Sequence, residues 1–152
     1  MGIRRKARES ALQFLFQDDF ADADTRRTLL TERFELFCGL YQVNKRARGY
    51  TLELLQGIRS NCEHIDNLIG KCAKNWRLER IAITDRNLLR IGVYEMVYSD
   101  DVPVQVAINE AVEIAKRFGS DDSPSFINGI LDAVKTLIEN PAQQTLVVPE
   151  KE

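Results

Sequence analysis

Arg4, Arg5, Lys6 and Arg8 place four cations within five positions, and they run directly into the apolar-periodic segment Ala11-Leu12-Gln13-Phe14-Leu15-Phe16. If that segment is helical, the cations crowd its N-terminal end, where the macrodipole is already positive. Each then costs about 0.3–1 kcal/mol when exposed at low salt. A polyanion reverses the sign of that penalty, so the chemistry the cluster suits is phosphate binding, with base recognition left to other residues. At about 100° per residue, Arg4 and Arg8 project on the side of Ala11 and Leu15, the prospective buried stripe. Two unpaired charges are not buried in such a stripe. The first turns are therefore expected to overhang the bundle or fray from it as a basic collar, with Arg5 and Lys6 pointing elsewhere. Taken alone, the cluster reads equally well as solvated charge at a disordered terminus.

A second candidate region runs from Phe118 to Gly129. It offers a helix N-terminus whose N–H groups favour anions, the carboxylates of Asp121 and Asp122 as acceptors for base amino groups, and Phe126 as a stacking surface. Each piece also has an ordinary role. Asp121, Asp122 and Ser123 are common helix-start residues, and Phe126 suits a core. On spacing alone the ordinary reading is the stronger.

Catalytic chemistry finds little to work with. Cys62-Glu63-His64 brings three reactive types together, but His64 is the single histidine of the chain. Cys62, Ile65, Ile69 and Cys72 fall at i, i+3, i+7 and i+10, which is core spacing and argues against a metal site. Glu110 and Glu113 stand one helical turn apart after Asn109, where the helix dipole alone accounts for acidic residues. There is no glycine-rich phosphate loop, no GxSxG elbow and no HExxH pair. The chain reads as neither an enzyme nor a cofactor carrier.

Helical periodicity dominates, without sustained strand alternation, so the expected fold class is all-α. The first helix is expected from about Ile3 to Asp19. After the polar break Ala21-Asp22-Ala23-Asp24, Thr25 is expected to cap a second helix carrying Leu29, Leu30, Phe34, Phe37 and Leu40. A third stretch begins near Lys45, carries Tyr50, Leu54, Leu55 and Ile58, and continues through Cys72, with a kink or close crossing near Gly57. Asn75-Trp76-Arg77 interrupts the pattern and is the candidate boundary between halves. Thr84 and Asp85 then open a helix that is apolar nearly all round, as befits the middle of a bundle. Pro103 starts the next helix and Gly119 stops it; Ser123-Pro124 opens a last helix, which Asn140-Pro141 ends. The expected organisation is one domain over residues 1–141, with subdomains of about 3–76 and 77–140, followed by a loose tail over 142–152.

Composition sets the outer bounds. The 152 residues are 44% hydrophobic and 29% charged with a net charge of −2, a globular profile and not that of a general nucleic-acid coat protein. Nucleic-acid contact must come from a local patch. No apolar run is long enough for a membrane span, the N-terminal cations precede too broken a stretch for a secretory signal, and three cysteines make no disulfide framework. A cytoplasmic chain with reduced thiols is expected.

Several motifs in order carry a resemblance: Arg4-Arg5-Lys6-Ala7-Arg8-Glu9-Ser10-Ala11-Leu12-Gln13-Phe14-Leu15-Phe16, Asp85 through Met96, Asp101-Val102-Pro103 to Asn109-Glu110-Ala111, Ala115 to Gly119, and Phe126-Ile127-Asn128-Gly129-Ile130-Leu131-Asp132. Over about Ile3 to Ile138 the chain resembles the transcription antitermination factor NusB family. The resemblance implies two packed three-helix subdomains, about six to seven helices in all, and a non-enzymatic RNA-binding role. It also implies a partner, the ribosomal protein NusE, with which such proteins bind boxA RNA of nascent ribosomal RNA transcripts. The pair helps assemble an antitermination complex on RNA polymerase with NusA and NusG.

Carried onto this sequence, the resemblance assigns RNA contact to Arg4, Arg5, Lys6, Arg8, Phe16, Asp122 and Phe126, and NusE contact to Glu79, Asp85 and the helix that follows. Phe16 stands where the family often has tyrosine, and Ser125 where a basic residue is common, so lower affinity for RNA alone is expected. The alternative is a NusB-like accessory domain of a ribosomal RNA cytosine methyltransferase. The sequence ends at Glu152 with no methyl-donor-binding domain after the bundle, which favours the free-standing factor. An incidental basic end on a purely partner-binding bundle is the third reading. The apolar bundle face suits a homodimer and NusE equally well.

Overall fold

Helix-forming segments parted by caps and extended residues make up the described part of the chain. The computed structural model describes residues 2–75 and 77–140. Among the described residues there are eight α-helices, one short 3-10 turn and no strand, as the all-α expectation requires. The helices are α1 (Ile3–Asp18), α2 (Ala23–Arg27), α3 (Leu30–Tyr41), α4 (Arg48–Ser60), α5 (Cys62–Cys72), α6 (Ile83–Tyr98), α7 (Val104–Phe118) and α8 (Ser123–Glu139), with the 3-10 turn at Leu78–Arg80. Trp76 of the expected boundary and the expected tail over 142–152 lie outside the described residues. The chain divides into two compact units, parted between Ser60 and Asn61. The break at Asn75–Arg77 thus falls within the second unit.

In the first unit α1 and α3 both pack on α4. Ala7 and Ala11 are fully buried, and their small side chains let α4 approach closely. There the buried Thr51 hydroxyl donates to the O of Ala47, the residue just before α4, at 2.8 Å and lies 3.3 Å from Ala7 O of α1. Phe14 adds edge contacts to Phe37 and Phe34, with ring centroids 5.3 and 6.3 Å apart. Such pairs contribute about 0.5–1.5 kcal/mol each beyond the area they bury. Arg33 lies over the Phe14 ring at 5.2 Å and pairs with Asp18.

Three expectations for this unit need correction. The single helix expected after Thr25 is two helices, because Thr28 and Leu29 adopt extended conformations (ψ 143° and 137°). The cap is Asp22, whose carboxylate accepts the Thr25 N–H at 2.7 Å. That bond holds the Asp22 carboxyl below the usual carboxylate range. Nor does the expected stripe lie wholly inside: Phe34 and Phe37 are buried, whereas Leu29 and Leu40 are 65% and 77% exposed. Splitting the helix resets the phase of its apolar positions, and α3 is apolar on more than one face.

The stretch expected to run unbroken through Cys72 parts at Asn61 (φ −120°, ψ 19°) into α4 and α5. In the second unit α6 packs against α5, α7 and α8. Residues 87–89 and 91–96 are all buried, the all-round burial expected of a central helix. It starts at Ile83 after Ala82, so Thr84 lies inside the first turn and is not the cap. Gly92 makes room for α8: a Cβ there would sit 2.9 Å from Leu131 Cδ1. Arg90 grips Asp66 of α5 with two bonds, Nε to Oδ1 at 2.8 Å and Nη2 to Oδ2 at 3.0 Å, and reaches Asn87 Oδ1 at 3.1 Å. Ile65, Leu68 and Ile69 form the buried face of α5, while Cys62 and Cys72 at its two ends are only half-buried.

Candidate nucleic-acid interface

The arginine cluster is folded into α1, which extends back to Ile3. Its first turn holds no acidic residue, and Gly2 at the N-cap supplies no side-chain acceptor. The positive end of the helix dipole thus carries cations and no carboxylate in its first turn, a charge pattern that suits an anion.

The four cations are not equivalent. Arg4 is exposed, Arg5 and Lys6 are half-buried, and Arg8 is buried with 4% of its surface exposed. This corrects the expected overhang or fraying: geometry does aim Arg4 and Arg8 at the packed side, and Arg8 goes in. What receives them is Tyr50 of α4. The guanidinium carbon of Arg4 stands 4.5 Å from the Tyr50 ring centroid and that of Arg8 stands 6.0 Å from it. Both distances lie within the range of cation–π attraction. Sequence reasoning placed Tyr50 on a helix but gave it no role, since its partners lie far earlier in the chain.

Further along α1, Phe16 is 42% exposed and Phe20 just beyond the helix is 66% exposed. Their rings lie 5.3 Å apart at a tilt of 54°. A half-exposed phenyl offers a face to a base but no hydroxyl to a phosphate.

Asp122 and Phe126 sit in the second unit, at the start of α8. Asp122 is exposed at the N-cap position and its side chain makes no capping bond. The loop is held instead by Ser123, 1% exposed, whose hydroxyl accepts the Ser120 N–H at 2.9 Å. Phe126 follows one turn later and is half-buried. Gly119 ends α7 in an extended conformation (φ −96°, ψ −171°), not the left-handed one its stop role suggests. Its reason is space, because a Cβ there would meet Ser123 Cβ and Oγ at 2.5 Å and Ala115 O at 2.9 Å. Arg117 places its guanidinium 5.2 Å from the Phe118 ring.

The two positions expected to face a protein partner also lie in the second unit. Glu79 is exposed in the 3-10 turn, and Asp85 is half-buried in the first turn of α6. Glu110 is half-buried, and Glu113 pairs with Lys116 at 2.7 Å as an exposed i, i+3 bridge. Nδ1 of His64 hydrogen-bonds the Tyr98 hydroxyl. Among the described residues no group of three His, Cys, Asp or Glu could hold a metal ion, and no helix is long and apolar enough to cross a membrane. The N-terminal end of α1 presents cations, and Phe16 further along the same helix presents an exposed ring, groups that suit anion binding and base stacking.

Comparison with known proteins gives the geometry its context. The NusB family model matches residues 5–136. Transcription antitermination protein NusB of Desulfotalea psychrophila is 60% identical over 141 residues, covering 91% of this chain and 99% of the relative. The solved structure of T. maritima NusB superposes with a TM-score of 0.75 at 33% identity, covering 94% of this chain and 97% of that one. A crystal structure of antitermination factors NusB and NusE in complex with dsRNA matches with a TM-score of 0.71 at 25% identity, over 88% of this chain and 96% of that one.

Proposed function

This chain belongs to the NusB family, and from that premise we propose that it is a non-enzymatic, RNA-binding transcription antitermination factor. With NusE it binds boxA RNA of nascent ribosomal RNA transcripts and helps assemble the antitermination complex on RNA polymerase with NusA and NusG. It works in the cytoplasm, where transcripts emerge. One observation carries this reading: the Desulfotalea psychrophila relative, matched nearly end to end, is a transcription antitermination protein. The neighbouring structure in which NusB and NusE hold RNA supports the choice of ligand and partner.

In this reading the phosphate chain lies against the N-terminal end of α1, where Arg4, Arg5 and Lys6 reinforce a positive helix end. Phe16, Asp122 and Phe126 contact bases, and Glu79 and Asp85 face NusE. Arg8, buried, acts from behind the surface. The exposed Leu36, Leu40 and Tyr41 of α3 give a homodimer its apolar contact area.

Titration of labelled boxA RNA across salt, with and without NusE, tests the proposal. Binding is expected to tighten with NusE and to weaken as salt rises. A scrambled RNA bound equally well, with no effect of NusE, would overturn it. Mass in solution with and without NusE tests the homodimer.

A further inference from the structure

The α1–α4 crossing is pinned one residue away from Tyr50. Thr51 is fully buried and its hydroxyl lies 3.3 Å from Ala7 O, so the register of α4 against the first two turns of α1 is fixed by packing and by a polar contact. Ala7 sits between Arg4 and Arg8 on the packed side of α1. Fixing Thr51 at Ala7 therefore delivers the neighbouring Tyr50 ring to Arg4 at 4.5 Å and to Arg8 at 6.0 Å. Arg8 is 4% exposed while Arg4 is exposed, so one ring spans from a buried cation to a surface one.

We propose that Tyr50 is a positioning residue for RNA binding: its ring holds the Arg4 guanidinium, with Arg8 behind, so that the arginine-rich turn meets a phosphate chain already ordered. The inference rests on the RNA-binding reading above. A guanidinium stacks through its face and binds phosphate oxygens at its edge, so the two contacts do not compete. A long side chain held on an aromatic face loses less rotamer freedom when the ligand arrives, and that saving appears as affinity. The phenolic hydroxyl is not required by this account, whereas the ring is.

The test is a cycle of Tyr50→Leu and Tyr50→Phe in the wild-type and Arg4→Ala backgrounds of the full chain, read by fluorescence anisotropy of labelled single-stranded boxA RNA from about 50 to 200 mM salt. Tyr50→Leu is expected to weaken binding about 3- to 10-fold and to flatten the salt slope by about 0.7, the loss of one single-strand phosphate contact. Tyr50→Phe is expected to bind within about 2-fold of wild type, because the ring face remains. In the Arg4→Ala background Tyr50→Leu is expected to have no further effect. An equal loss from Tyr50→Leu in both backgrounds would mean that Tyr50 acts through packing alone, and overturns the proposal. So does wild-type binding by Tyr50→Leu. Arg5→Ala separates this failure from that of the underlying reading: salt-sensitive binding lost in Arg5→Ala but kept in Tyr50→Leu removes only the role of Tyr50. Wild-type protein whose RNA binding is insensitive to salt and to Arg5→Ala removes both.

Discussion

Gly119 and Ser123 fit together with no room for a methyl group between them: a Cβ on Gly119 would lie 2.5 Å from both Cβ and Oγ of Ser123. The same hydroxyl accepts the Ser120 N–H at 2.9 Å. The α7–α8 turn, which carries Asp122 at the surface, is thus shaped from inside by a glycine and a buried serine.

Gly119→Ala should therefore displace the turn. Ser123 is 1% exposed and the second obstacle is the Ala115 carbonyl, so neither neighbour retreats easily. A loss of about 1–3 kcal/mol in urea unfolding is expected, the usual range for overpacking. RNA affinity should fall with it, since the shift moves Asp122. An unchanged unfolding midpoint would show that the turn relaxes freely.

Much of this fold is written in local signals, and its misreadings have physical causes. Ser123-Pro124 opens α8 and Asn140 ends it as expected, because prolines and caps act within a few residues. Asp22 caps in place of Thr25 because α2 begins at Ala23, three residues earlier than apolar spacing suggests, which puts Thr25 inside the helix. Asn61 parts α4 from α5 without a proline or glycine, a break that periodicity alone does not reveal because the apolar stripe continues across it. The arginine cluster was legible as charge, whereas its anchoring was not. Arg8 is buried against a ring that only tertiary packing brings to it, and Tyr50 carries no local signature of that role.

Asp122→Asn separates recognition from folding. Asp122 is exposed and makes no side-chain capping bond, so the substitution is expected to leave stability within about 0.5 kcal/mol of wild type in thermal or urea unfolding. Discrimination between boxA and scrambled RNA is expected to narrow, since an amide donates where a carboxylate only accepts. Identical discrimination by both proteins would remove Asp122 from sequence readout.

The cysteines set an alkaline limit on stability. Burial pushes the thiols of Cys38 and Cys72 above the ordinary range, against the opposing pull of Arg48 on the first and of Lys74 and Lys71 on the second. A thiol whose folded pKa is raised contributes fully below its unfolded value. That contribution is lost as pH climbs through the folded one, because the unfolded chain releases its proton first. Urea midpoints should therefore fall from about pH 8 upward, and less steeply in Cys38→Ala with Cys72→Ala. A matching pH profile in that double variant would place the alkaline loss elsewhere.

Arg8 and its neighbours should fail in different assays. Arg8 is 4% exposed, so replacing it with alanine removes packing along its stem and its charge on the Tyr50 side of α1. A stability loss of about 1–3 kcal/mol is expected, typical of a buried truncation with a polar component. Arg4 and Arg5 lie nearer the surface, and alanine there should leave the unfolding midpoint nearly unchanged. Each should instead lower the slope of log affinity against log salt by about 0.7, one phosphate contact on a single strand. Arg4→Ala and Arg5→Ala together thus define the electrostatic footprint, while Arg8→Ala reports on the scaffold beneath it. If Arg8→Ala kept full stability yet flattened the salt slope as much as Arg4→Ala, the buried arginine would have to emerge to meet RNA, and the order built around Tyr50 would be a property of the free protein alone.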